Sequence, residues 1–136
     1  MADSHGFEVA PLVIESGDAR HRFTVEVADD SSKRGRGLMF RPSLGDDEGM
    51  IFDFEEVRDV AMWMKNTPVS LDMIFIDDTG RITHIAERTR PYSEAIIPSN
   101  GPVRSVLEVV AGTAKRLGIR RGDLVRHRIF SNLQAP

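Results

Sequence analysis

The chain has 136 residues, a formal net charge of -3, 40% hydrophobic and 29% charged residues, and no cysteine. That length fits one domain around a single core. The composition excludes a broad basic field for nucleic acid or anionic lipid, disulfide staples, and every cysteine-based nucleophile or metal centre.

The opening "MADSHGFEVA" has neither the basic region nor the apolar run of a signal peptide, and no stretch of eighteen apolar residues occurs anywhere. No membrane span is expected. Residues 1–9 read as a loose leader, 10–130 as one globular domain and 131–136 as a tail. "PLVIES" and "HRFTVEVA" are β-branched and partly alternating around "GDAR", which predicts a first hairpin. In "DDSSKRGRGLMFRPSL" the N-cap candidates Asp29, Asp30 and Ser31 precede a basic turn closed by Gly37 and Pro42, predicting a short helix. Gly35 within it disfavours helix by on the order of 1 kcal/mol relative to alanine, so packing must hold it.

"GMIFDF" predicts a strand with Met50, Phe52 and Phe54 on one face. In "VAMWMK", alternation places Val60, Met62 and Met64 opposite Ala61, Trp63 and Lys65. "LDMIFID" is apolar on both faces, the mark of a strand buried on both sides, and "DDTG" turns it into "RITHIAE" as a hairpin partner. "TRPYSEAIIPSNGP", with Pro91, Pro98 and Pro102, reads as a long surface excursion. "SVLEVV" predicts a strand, "GTAKRLG" a helix of about two turns stopped by Gly118, and "GDLVRHRIF" a last strand. The fold class expected is α+β: a β-rich single domain with a rolled or partly closed, mainly antiparallel sheet and two short helices.

Motifs for chemistry are sparse. His5, His21, His84 and His127 show no metal-ligand spacing, and "DDE" at 46–48 lacks the rest of a calcium loop, so no metal or other cofactor is expected. No G-x-S-x-G elbow occurs, and "RGRGL" is neither a phosphate loop nor a dinucleotide fingerprint. Lys33, Arg34, Arg36 and Arg41 form a basic block that reads either as a solvated face or as an anion-binding patch. The stretch "WMKNTPVSLD" offers Trp63 as an apolar wall with Lys65, Asn66, Thr67 and Asp72 as oriented polar groups, a pattern of ligand-pocket rims. Its plainer reading is core plus a turn, with Lys65 and Asp72 as an exposed ion pair.

"RGLMFRPSL", "GMIFDF", "MWMKNTPVSLDMIFID", "GRITHIAE" and "VLEVVAGTAKRLGIRRGDLV", in that order, resemble the family known as domain of unknown function 192 over roughly residues 10–130. The resemblance implies a small β-rich bacterial or archaeal protein, often made with an export signal or lipoprotein leader, and hence a periplasmic or exported location; a cytoplasmic one stays open. It marks Arg36, Gly37, Leu38, Met39 and Arg41 in one block and Trp63, Met64, Lys65, Asn66, Thr67 and Asp72 in another, and carries no activity with them. Gly35 departs from the helix-favouring residue more usual there.

The first expectation is a binding module for a small polar or anionic ligand at Arg36, Arg41, Trp63, Lys65, Asn66, Thr67 and Asp72, with no catalytic residue assigned. The alternatives are a cell-envelope interaction or structural domain, and a hydrolase or lyase with Asp72 or Glu108 as base and Lys65 as electrostatic partner.

Overall fold

A computed structural model of the protein describes residues 5–133. Residues 1–4 of the expected leader and 134–136 of the expected tail lie outside the described residues. The strands are β1 (Glu8–Ser16), β2 (Ala19–Ala28), β3 (Glu48–Met62), β4 (Leu71–Ile76), β5 (Ile82–Ala86), β6 (Ile97–Val110) and β7 (Leu124–Arg126). Helix α1 (Ser31–Arg36) lies between β2 and β3, α2 (Thr113–Leu117) follows β6, and a 3-10 turn (Arg128–Phe130) follows β7.

The strands form one sheet in the order β5-β4-β6-β3-β2-β1-β7. Every pair is antiparallel except β2 with β3, whose crossover carries α1. The sheet curls until its two edges meet: Arg81 bridges to Leu124, Ile82 N–H donates to the Asp123 carbonyl at 2.9 Å and Val125 N–H to the Gly80 carbonyl at 2.7 Å. The result is the curled, mostly antiparallel half-barrel with two short helices that the sequence predicts.

Alternation divides the core between the two faces of the sheet. One face gathers Leu12, Ile14, Val25, Val27, Ile51, Ile74, Leu107 and Val109 beneath α2. The other gathers Met50, Phe52, Met73, Phe75 and Val106, with Phe7, Leu38 and Met64 from outside the strands. Every residue of β4 is buried, as its two apolar faces require.

The local signals resolve in detail. Of the three N-cap candidates it is Asp30 that caps α1, its carboxylate accepting from Lys33 N–H at 2.8 Å. Gly118 closes α2 in the left-handed region. Three expectations need correction. "GMIFDF" and "VAM" are one strand, β3, irregularly paired between Asp53 and Arg58, and it stops at Met62, so Trp63 and Lys65 sit on the following turn. The "excursion" is only residues 87–96, because β6 begins at Ile97 and runs through Pro98 and Pro102 opposite Ala61 and Asp59. The leader is shorter than read: Phe7 is fully buried, and β1 starts at Glu8, which pairs with Arg128.

The seam rests on Gly80. It holds φ +97°, and a Cβ there would stand 2.5 Å from the Val125 carbonyl oxygen and 2.6 Å from Asn132 Nδ2. Gly80→Ala combines positive-φ strain with a clash against backbone and should destabilise by about 2–3 kcal/mol. Urea unfolding checks this, with a lowered midpoint expected and a midpoint like that of the native chain contradicting it.

Candidate functional site

A cleft of about 380 Å³ opens on the Met50–Met73 face, between α1 with its following turn on one side and the outer half of β3 with the Trp63–Thr67 turn on the other. Local backbone chemistry builds both walls. Gly37 takes φ +47° to end α1, and a Cβ there would come within 3.1 Å of the Phe52 ring, so only glycine lets the turn lie this close to β3. Across the cleft, Asn66 adopts φ +55° and its carbonyl accepts from Phe40 N–H at 2.7 Å. Thr67 Oγ1 donates to the Lys65 carbonyl at 3.0 Å, and Met64 N–H donates to the Ser93 carbonyl at 2.9 Å. The turn carrying Trp63 and Lys65 is thereby strapped to the α1 turn and to the 87–96 loop.

The walls are Leu38, Phe52, Phe54, Met62 and Trp63, the last 42% exposed. Around them stand four cations, Arg34, Arg36, Arg58 and Lys65. Each is held over an aromatic ring: Arg34 and Arg58 at 5.7 and 4.9 Å from Phe54, Arg36 at 4.5 Å from Phe7, and Lys65 Nζ at 5.1 Å from Trp63. A ring face positions a cation without neutralising it. Among the described residues only Arg34 of the four has an ion-pair partner, Glu55 at 3.4 Å, while Arg36 donates to the His5 carbonyl at 2.9 Å.

The single acid lining the cleft is Glu108, 4% exposed and on β6. Its cross-strand neighbours are Met50 on β3 and Met73 on β4, so its carboxyl lies on an apolar floor. It makes no side-chain hydrogen bond or ion pair with any described residue, and burial pushes its pKa from 4.5 up to about 8. At neutral pH it is chiefly a carboxylic acid, able to donate one hydrogen bond and accept others.

Of the seven residues expected from sequence, Arg36, Trp63, Lys65 and Thr67 line this cleft. Asn66 shapes the turn without lining it. Arg41 belongs elsewhere: its guanidinium grips Glu26 through two hydrogen bonds of 2.8 and 2.7 Å. Asp72 is fully buried on the opposite face of the sheet, one position out of phase with Met73, and forms no ion pair with Lys65. Its two carboxylate oxygens accept from Arg88 N–H and Ala114 N–H, both at 2.9 Å, the second tying down the start of α2. Arg58 and its mount Phe54 escaped sequence reading because nothing local in "FEEVRDV" announces a site. Glu108 did leave a trace, an acid inside the apolar run "SVLEVV". Among the described residues no three His, Asp or Glu side chains group as metal ligands, and no helix is long and apolar enough to cross a membrane.

No curated protein matches the chain. Solved structures similar to it include two of high identity. One, a candidate transcription regulator from Sinorhizobium meliloti 1021, is 46% identical, with 90% of this chain and 96% of that one covered and a TM-score of 0.89. The other, a protein of unknown function from Novosphingobium aromaticivorans DSM 12444, is 39% identical, with 93% and 91% covered and a TM-score of 0.90. The family model of domain of unknown function 192, described as an uncharacterized ACR, matches residues 12–127, and the chain belongs to that family.

Proposed function

We propose that the protein is a binding module for a small amphipathic anion, held in the cleft between Trp63 and α1. The observation that carries this reading is the set of four cations mounted on aromatic rings around an apolar cleft, three of them without an ion-pair partner among the described residues. Such a rim supplies charge and donors to an incoming anion while the walls take its apolar body. A thermal-shift screen of small carboxylates and phosphate esters, run on the native protein and on Lys65→Ala, tests it. A ligand at about a hundred times its dissociation constant adds roughly 2.7 kcal/mol, a rise of several degrees for a chain of this size. Hits that fade in Lys65→Ala support the reading. A flat screen, or hits indifferent to Lys65, would count against it.

A second reading, a protein-interaction domain of the cell envelope, is favoured by one feature. Phe40 and Tyr92 are 75% and 63% exposed and both hold positive φ, at 65° and 66°. Their N–H groups donate to the carbonyls of the adjacent residues Asn66 and Thr67, so strained backbone displays two aromatic rings to solvent. The regulator description of the Sinorhizobium neighbour gains no support here, since the net charge is -3 and the longest described α-helix has six residues.

A further inference from the structure

We propose that the anion bound in the cleft carries, at the end away from its charge, an uncharged hydrogen-bond acceptor such as a ketone or carboxamide oxygen, and that this group seats on the carboxyl of Glu108. The inference rests on the binding reading above and specifies its ligand class.

Glu108 is a nearly fully buried polar side chain that faces the cleft and makes no side-chain hydrogen bond with any described residue. A buried polar group left without a partner is costly, so the group that best fills this floor is one that hydrogen-bonds the carboxyl. Three kinds of ligand end can be weighed. An alkyl end leaves the carboxyl unsatisfied. An ammonium end requires Glu108 to ionise between Met50 and Met73, and must first pass four cations that repel it. A carbonyl accepts the proton that the buried acid already holds at neutral pH, without placing a charge on the apolar floor. The cationic rim then fixes the orientation, anion outward and carbonyl inward.

Four para-substituted benzoates differ only at the inner end: 4-carbamoylbenzoate, 4-acetylbenzoate, 4-ethylbenzoate and 4-(aminomethyl)benzoate. Their affinities for the native protein, Glu108→Gln and Glu108→Leu are measured by calorimetric titration at pH 6.5 and 9.5. At pH 6.5 the carbamoyl and acetyl probes should bind the native protein about tenfold tighter than the other two, the difference made by one buried hydrogen bond. At pH 9.5, with Glu108 ionised, that preference should collapse. Glu108→Gln, which keeps a donor, should retain it at both pH values, and Glu108→Leu should bind the ethyl probe at least as well as the carbonyl probes. Equal affinities for the four in the native protein, or tightest binding of the aminomethyl probe, would overturn this inference and leave an anion cleft. Binding of none of the four, with Lys65→Ala indistinguishable from native, would overturn the binding reading itself.

Discussion

Replacing Glu108 by glutamine should leave stability nearly unchanged at pH 4 and raise it at pH 9 by on the order of 5 kcal/mol, the native chain being the weaker of the two at high pH. Burial holds the folded carboxyl's pKa near 8 against 4.5 ordinarily, so the folded state binds a proton that the unfolded chain has released. Stability from this group is therefore complete below pH 4.5 and is lost as pH rises to about 8, at about 1.4 kcal/mol per unit. His127 acts in the opposite sense. Burial lowers its imidazole to about 4 from 6.5, so its contribution is present above pH 6.5 and is lost as pH falls toward 4. Between pH 4.5 and 6.5 the two slopes oppose one another, and above 6.5 the loss due to Glu108 stands alone. Urea unfolding of both proteins from pH 4 to 9 reads the difference directly, since His127 is common to both. A gap that does not widen with pH would mean that Glu108 is not buried as an acid.

Asp72→Ala should cost about 3–5 kcal/mol of stability, the second large effect. Truncation leaves the N–H groups of Arg88 and Ala114 without the carboxylate they donate to; an orphaned buried donor such as Ala114 N–H costs about 1–3 kcal/mol, and the part-buried Arg88 N–H costs less. It also empties space in a fully buried position beneath α2. Asp72→Asn keeps one carbonyl oxygen as acceptor and should lose less. Denaturant unfolding measures both, and because Asp72 lies across the sheet from the cleft, the folded Asn variant should bind cleft ligands as the native protein does. A stable Asp72→Ala protein with impaired binding would return Asp72 to the site.

The parts of the fold written in local chemistry are legible in the chain. Asp30 and Gly37 bracket α1 because a carboxylate cap and a positive-φ residue are needed at those places, and β4 reads as doubly buried because both its faces are apolar. What failed depended on neighbours. Pro98 and Pro102 resembled loop punctuation, yet only residues 105–108 of β6 are paired on both sides, and an unflanked strand tolerates a missing N–H. Asp72 and Glu108 are each one acid in an apolar strand. Asp72 meets two backbone donors beneath α2 and becomes structural, whereas Glu108 meets none and faces a cleft. That difference is set by strand order, which periodicity does not encode. Arg41 likewise belonged to a plausible basic block until Glu26, fifteen residues earlier, claimed it.

Trp63, the one tryptophan in the chain, forms a wall of the cleft beneath the Lys65 ammonium, so its emission reports on occupancy. Titration of 4-carbamoylbenzoate at pH 6.5, with excitation at the red edge of the indole band, should give a saturable change in that emission. The change should be lost or markedly weakened in Lys65→Ala and Arg36→Ala while both variants keep the native unfolding midpoint. Emission that stays constant across the titration, or a change equally strong in both variants, would contradict a ligand site between Trp63 and α1.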